Sequence, residues 1–154
     1  MYIDFTICSS ENNLTELARL FPESKLILKG EKLKSGKEMS YNEMSLKYEK
    51  NGFCYTDDLL SSFKTYIGEH LEGLTNFIQL NKLTPSICIV IKESEEKPAL
   101  SISNENLNLL CKLNTSIDFD FIWCIVNKKF FAYSHKWQFA GGNTYTQTIL
   151  PINR

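Results

Sequence analysis

The sequence contains none of the short motifs that mark common catalytic or nucleotide-binding sites. A Walker-type phosphate loop, a G-x-S-x-G nucleophile turn and an H-E-x-x-H zinc helix are all missing. The chain has only two histidines, His70 and His135, and no C-x-x-C pair, so a zinc site with three or four ligands has few candidates. These absences favour a binding protein over an enzyme, and we predict no catalytic residue, no metal and no cofactor.

Neither sign of charge is in excess. Lys and Arg number 17 and Asp and Glu 18, for a net charge of −1 and a pI near 6.1. General affinity for nucleic acids depends on a large excess of Lys and Arg. The most basic stretch, residues 29–38 (KGEKLKSGKE), contains two glutamates and no aromatic residue. We interpret it as a mobile, solvated loop and expect no nucleic-acid partner.

Signals for export and for membrane insertion are also missing. The amino terminus, MYIDFTICSS, has no basic region and carries Asp4, so it does not resemble a signal peptide. No apolar run approaches the roughly 20 residues that a membrane span needs. The five cysteines are odd in number, which favours a reducing compartment, and we interpret Cys88, Cys111 and Cys124 as small hydrophobic residues inside apolar elements. We therefore predict a cytoplasmic protein that is not associated with a membrane.

What the sequence does contain is a regular alternation of strand and helix patterns. With 154 residues, the chain fits one domain. Its patterns give the order β-α-β-β-α-β-β-α-β, followed by a hairpin around Asn127-Lys128 and a Thr/Tyr-rich tail that adds an edge strand. This order predicts the α+β class, with a mixed, mainly antiparallel sheet and helices packed mainly on one face. We assign residues 1–126 to the core and residues 127–154 to a β-hairpin and tail extension.

The most informative stretch is residues 99–123, ALSISNENLNLLCKLNTSIDFDFIW. An alternating run at 100–102 predicts a short strand, and Ser103 is placed to cap the helix that follows. Leucines and Cys111 recur there at helical spacing, and Asn114 stands where a left-handed residue is expected to end the helix. The residues after Asn114 alternate apolar and polar side chains, which predicts a strand with one buried face.

This stretch resembles the carboxy-terminal signature of the bacterial family catalogued as domain of unknown function 4279. In that family an LSLS segment and a helix precede an LGASIDFDIY-like run, and the likeness extends more weakly over the chain from Tyr2 to about Trp123. Asn114 and Thr115 stand here in place of the usual Gly and Ala. The resemblance implies an intracellular α+β domain, and because no activity is assigned to the family it transfers no catalytic residue.

A single long helix is predicted from about Asp57 to Leu80, with Thr56 as its cap. The apolar residues of this segment project within an arc of roughly 140°, and the register continues through Gly68 and Gly73. His70 falls inside that arc, which predicts a core or boundary histidine.

The opposite face of this helix is acidic and is our main candidate contact surface. It carries Asp58, Glu69, Glu72 and Asn76, and the only lysine of the segment, Lys64, lies at its edge. Because the acids lack partners at i+4, we predict a docking surface for a basic protein partner such as a toxin. An ordinary solvated face is the alternative interpretation.

A second candidate site is the pair Asp118 and Asp120. Two carboxylates on one side of a strand are about 7 Å apart, within range of metal binding or acid-base chemistry. The alternative is that they are the solvent-facing members of an alternating strand, or that they meet lysines on a neighbouring strand. A cleft near the tail aromatics would be a further option, although such residues more often serve packing: Phe131, Tyr133, Trp137 and Phe139.

Two functional hypotheses from different classes follow. The first is a non-enzymatic protein-binding domain, such as an immunity-type inhibitor that neutralises a toxin or nuclease through the acidic helix face. The second is a small metal- or ligand-dependent enzyme or ligand-binding domain that uses Asp118 and Asp120.

Overall fold

The computed structural model describes residues 1–52, 54–92, 100–123, 131–137 and 149–151. Within these ranges the chain forms seven strands, four α-helices and one 3-10 turn. In chain order they are β1 (Tyr2–Ser9), α1 (Thr15–Leu20), β2 (Lys25–Ile27), β3 (Asn42–Glu49), α2 (Thr56–Tyr66), the 3-10 turn (Gly68–His70), α3 (Leu71–Leu80), β4 (Ser86–Lys92), α4 (Asn104–Lys112), β5 (Ser116–Trp123), β6 (Phe131–Trp137) and β7 (Ile149–Pro151).

The strands form one mixed sheet in the order β2-β3-β1-β4-β5-β6-β7. Neighbouring strands are antiparallel except β4 and β5, which run parallel with α4 as the crossover between them. The predicted α+β class with a mixed, mainly antiparallel sheet is therefore confirmed. The predicted Asn127-Lys128 turn lies outside the described residues, but β5 and β6 pair as an antiparallel hairpin requires, and β7 is the edge strand.

The helices cover one face of this sheet. Ile3, Phe5 and Ile7 alternate along β1, are fully buried and share one apolar cluster with Phe63 of α2 and Leu74 of α3. Because side chains alternate between the two faces of a strand, the residues between them point away from the helices. Burying each such Ile, Leu or Phe side chain stabilises the fold by about 1.5–3 kcal/mol. The other members of the cluster include Leu14, Leu17, Met44, Leu46, Leu59, Ile78, Ile87, Ile89, Leu109, Leu110 and Ile117.

The prediction of one uninterrupted helix from Asp57 to Leu80 is wrong. α2 ends at Tyr66, and His70 N–H donates to Ile67 O at 2.9 Å, which is the tighter hydrogen bond of a 3-10 turn. The turn begins at Gly68, and glycine costs about 1 kcal/mol relative to alanine inside a helix. The segment also begins without the predicted Thr56 cap, because Tyr55 occupies the N-cap position and Thr56 Oγ1 donates instead to Ser101 O at 3.0 Å.

The short strand predicted at 100–102 does not form, because the backbone of this segment forms hydrogen bonds with the start of α2. In addition to the bond that Ser101 O accepts, Ser103 N–H donates to Asp57 Oδ1 at 2.7 Å. Residues 100–103 therefore form an irregular segment that ties the start of α4 to the start of α2.

Both predicted ends of α4 are confirmed, but one part of its buried face is not. Ser103 caps the helix by accepting from Asn106 N–H at 3.3 Å, and Asn114 has a positive φ of 48°. Of the cysteines interpreted as small core residues, Cys111 is exposed, Cys88 is half-buried and outside the apolar cluster, and Cys124 lies outside the described residues. The buried positions are spaced at i, i+3, i+4 and i+7 from Asn106, so a polar amide occupies a place in the apolar pattern.

The lysine-rich segment interpreted as a mobile loop is a small hydrogen-bonded hairpin. Leu33 N–H donates to Lys37 O at 2.9 Å and Gly36 N–H donates to Leu33 O at 2.8 Å, which closes the tip. Gly36 has a φ of +80°, the left-handed conformation that ends a three-residue hairpin loop. We call residues 29–38 the lysine hairpin.

Candidate functional site

The four predicted contact residues are distributed over α2, the 3-10 turn and α3. Asp58, Glu69, Glu72 and Asn76 are all exposed. Buried residues recur between them at helical spacing on both sides of the turn, so all four lie on the side of the segment that faces away from the core. We call these four residues the acidic stripe. The buried residues of the segment are Leu59, Leu60, Phe63, Ile67, Leu74 and Ile78.

No cation of the described residues forms an ion pair with the acidic stripe. Lys64, the only lysine of this segment, contacts Glu105 of α4 at 2.5 Å. The other ion pairs are made by Glu49, on β3. The three carboxylates of the stripe therefore carry their charge at the surface without a partner among the described residues.

Leu80 adds an apolar group to the same surface. It is 82% exposed, the largest exposure of any large hydrophobic residue in the described ranges. It follows Asn76 by four positions, and residues four apart on a helix are surface neighbours. The stripe therefore ends in an exposed leucine.

Asp57, next to the stripe in sequence, has a structural role instead. Its Oδ1 accepts hydrogen bonds from Ser103 N–H and from Asn106 Nδ2, both at 2.7 Å. Burial alone would raise the pKa of Asp57, but these hydrogen bonds outweigh it, so the pKa lies below its usual value. Asp57 is therefore held by α4.

The second candidate pair, Asp118 and Asp120, lies on the face of the sheet opposite to the helices. Asp118 is in register with Cys88 of β4, and Cys88 is in register with Asp4 of β1. Asp118, Asp120, Cys88 and Asp4 are all half-buried rather than solvent-facing. On the neighbouring strands, Lys136 is in register with Asp118 and Lys47 is in register with Asp4, as the alternative of lysine neighbours predicts. Three adjacent strands thus bring three carboxylates and a thiol together, and we call these four residues the carboxylate cluster.

Burial and neighbouring charges raise the pKa of two members of the cluster, Asp4 and Cys88. Burial raises the pKa of Asp4, Lys47 opposes this, and the charge of Asp120 adds to it. Burial also raises the pKa of the Cys88 thiol far above its usual value, and the charge of Asp120 and a hydrogen bond to it act in the same direction. A thiol that stays protonated is a poor nucleophile. Cys88 therefore does not supply the activated group that covalent catalysis needs.

The described part of the chain holds no group of three or more His, Cys, Asp or Glu side chains suited to a metal ion.

His70 is half-buried and meets Phe21 edge-on at 5.3 Å between ring centroids, as expected for a boundary histidine. Phe131, Tyr133 and Trp137 lie on β6, whereas Phe139 lies outside the described residues. In the described ranges no helix is long and apolar enough to cross a bilayer.

The sequence did not predict that Asp4 and Cys88 belong to this cluster, because they lie near Asp118 only as a result of the order of the strands in the sheet. Asp4 lies more than a hundred positions before Asp118, and only the placement of β4 between β1 and β5 makes them near neighbours. The alternation of Asp4 with Ile3 and Phe5 is a signal that it faces away from the core, but not that it meets another carboxylate.

Comparisons with known proteins found no matching family model, no matching curated protein and no matching solved structure. The resemblance of residues 99–123 to the domain of unknown function 4279 family stays a prediction.

Proposed function

We propose that this chain is a non-enzymatic protein-binding domain, an immunity-type inhibitor that neutralises a basic toxin or nuclease through the acidic stripe. The observation that carries the proposal is the exposure of three carboxylates that form no ion pair with any cation of the described residues. Such a surface attracts a basic partner over a distance and speeds association.

The scaffold below the stripe favours this role. Its helices are anchored by fully buried side chains such as Phe63 and Leu74, so the carboxylates are presented by ordered elements. A preorganised surface loses less conformational entropy on binding. Leu80 offers an apolar contact beside the charges, which suits a protein surface better than a small cation.

The test is charge reversal on the stripe. The immobilised chain first captures a basic toxin, which is then purified. Biolayer interferometry measures the association rate constant of this toxin with the chain at two salt concentrations. We expect Glu69→Lys with Glu72→Lys to lower the association rate constant about tenfold or more at low salt, and to flatten its salt dependence.

Glu11→Lys with Glu16→Lys is the matched control, because it makes the same change in net charge at exposed positions that are not part of the stripe. It is expected to retain most of the association rate. Equal rates for the wild type and the stripe variant would remove the acidic stripe from consideration as the contact surface.

The alternative is a ligand-binding or acid-base role for Asp118 and Asp120, and the observation that favours it is the carboxylate cluster itself. Burial and the charge of Asp120 disfavour the charged form of Asp4, and a bound cationic ligand would favour it. A thermal-shift screen of divalent metals and small amines tests this role. If no compound stabilises the wild type more than Asp118→Ala, the alternative is rejected.

A further inference from the structure

We propose that the acidic stripe of one copy docks reversibly on the lysine hairpin of a second copy, so that self-association competes with the basic protein partner. This inference rests on the proposed function, because both contacts use the same stripe. The two surfaces carry opposite charge, lie on different parts of one chain and lack ionic partners within the described residues.

The lysine hairpin presents its charges on an ordered element. Gly30 N–H donates to Met39 O at 2.8 Å, and Met39 N–H donates to Glu31 O at 2.9 Å. At the base, Lys29 N–H donates to Asn42 Oδ1 at 2.9 Å. Because the backbone is held in place, docking would not have to order it, and the entropic cost of binding is lower.

Lys29 Nζ donates to Ser10 O at 3.3 Å, and the side chains of the other three lysines of this hairpin are available for contact. Lys29, Lys32, Lys34 and Lys37 are exposed, and none forms an ion pair with a carboxylate of the described residues. The hairpin also contains Glu31 and Glu38, so its four lysines and two glutamates leave it a net charge of +2. Glu31 Oε2 accepts from Leu28 N–H at 3.1 Å.

The chemistry of the hairpin suits an acidic protein surface better than a nucleic acid. Binding to single strands relies on aromatic side chains on which bases stack, and residues 29–38 contain none. The acidic stripe is the complementary surface that the structure shows. With a net charge of −1, two copies repel each other only weakly, so local complementarity can decide how they meet.

The geometry of the contact predicts its stoichiometry. The stripe lies on the helix layer, whereas the hairpin connects β2 and β3 at one edge of the sheet. A contact between two different surfaces is heterologous, and it generates open chains unless the rotation happens to close a ring. The surfaces are small and charged, so we expect weak association that salt suppresses.

Sedimentation velocity of the full chain tests the proposal at low and high salt over a range of concentrations. At low salt we expect the weight-average sedimentation coefficient of the wild type to rise with concentration, and about 0.3 M salt to weaken the association about tenfold or more. Two reversed variants are compared with it: Glu69→Lys with Glu72→Lys, and Lys34→Glu with Lys37→Glu. Each alone should remain monomeric, and an equimolar mixture should associate again, because the native hairpin of one meets the native stripe of the other.

Glu11→Lys with Glu16→Lys should self-associate as the wild type does, and circular dichroism verifies that every variant is folded. A wild type that stays monomeric at all concentrations, or a hairpin variant that associates as strongly as the wild type, overturns the inference. Neither result affects the proposed function, because the hairpin variant keeps the stripe and the binding of a basic toxin is measured separately.

Discussion

Replacing Asn106 with alanine tests how α4 is held against α2. Asn106 is only 1% exposed, and its Nδ2 lies 2.7 Å from Asp57 Oδ1, 3.0 Å from Asp57 O and 2.9 Å from Ser61 Oγ. One amide nitrogen has two N–H donors, so the three acceptors share two hydrogen bonds. One of these bonds is to a carboxylate and contributes about 1.5–3 kcal/mol, and the other contributes about 1 kcal/mol.

We expect Asn106→Ala to lower the free energy of unfolding by about 2–3 kcal/mol, slightly less than that sum, because the exposed Ser61 hydroxyl regains a water partner. In a domain of this size the melting temperature falls by about 5–10 °C. Urea denaturation followed by circular dichroism measures the change. Asn108→Ala is the matched control, because Asn108 is exposed on the same helix and its loss is worth about 0.5 kcal/mol or less.

The effect of Asn106→Ala should also depend on pH. The pKa of Asp57 is lowered in the folded state, so its stabilising contribution is complete above its unfolded pKa of about 4 and is lost as the pH falls through the folded value. The difference between the wild type and Asn106→Ala should therefore narrow below about pH 4. Equal stabilities of Asn106→Ala and Asn108→Ala at neutral pH would refute this account of the contact.

Two further predictions concern the carboxylate cluster. Burial raises the pKa of Asp4, so the charge of Asp4 destabilises the fold at neutral pH. Asp4→Asn should therefore raise the urea midpoint at pH 7, and this gain should shrink as the pH falls towards about 4. A lower midpoint for Asp4→Asn at pH 7 would contradict the prediction. Cys88 is half-buried and its thiol stays protonated, so iodoacetamide at pH 8 should label Cys88 several-fold more slowly than the exposed Cys111. Peptide mass spectrometry measures the two labelling rates, and equal rates would contradict this prediction.

Local signals predicted the features that depend on neighbouring residues. The alternation in β1, β3 and β5 is clear because each strand has one face on the core, and the cap at Ser103 and the left-handed Asn114 were predicted from single positions. Predictions failed where distant residues decide the outcome. The segment at 100–102 has a strand pattern, but its backbone bonds to α2, and the helix pattern through Gly68 does not show that the turn tightens there.

The candidate surfaces show the same difference between features that neighbouring residues determine and features that depend on distant residues. The acidic stripe was predicted because its members recur on one side of a single helical pattern, and the buried period continues through the 3-10 turn. The carboxylate cluster was half predicted: Asp118 and Asp120 are local to β5, whereas Asp4 and Cys88 join them through strand order. The hairpin at residues 29–38 was missed because charge density suggested a loop, although Gly36 is placed to close a turn.

The two candidate surfaces differ in how they are linked to stability, and this difference bears on function. Stripe residues alternate with buried ones, so reversing Glu69 and Glu72 alters the surface charge and leaves the core unchanged. Asp4 of the cluster lies half-buried, where burial disfavours its charged form and the charge of Asp120 adds to this effect. Proteins tend to keep such local conflicts where function requires them. Asp4→Asn could stabilise the chain without affecting the binding of a basic partner. In that case the native cluster lowers the free energy of unfolding for a reason that the proposed inhibitor role does not explain, and the ligand-binding alternative gains support.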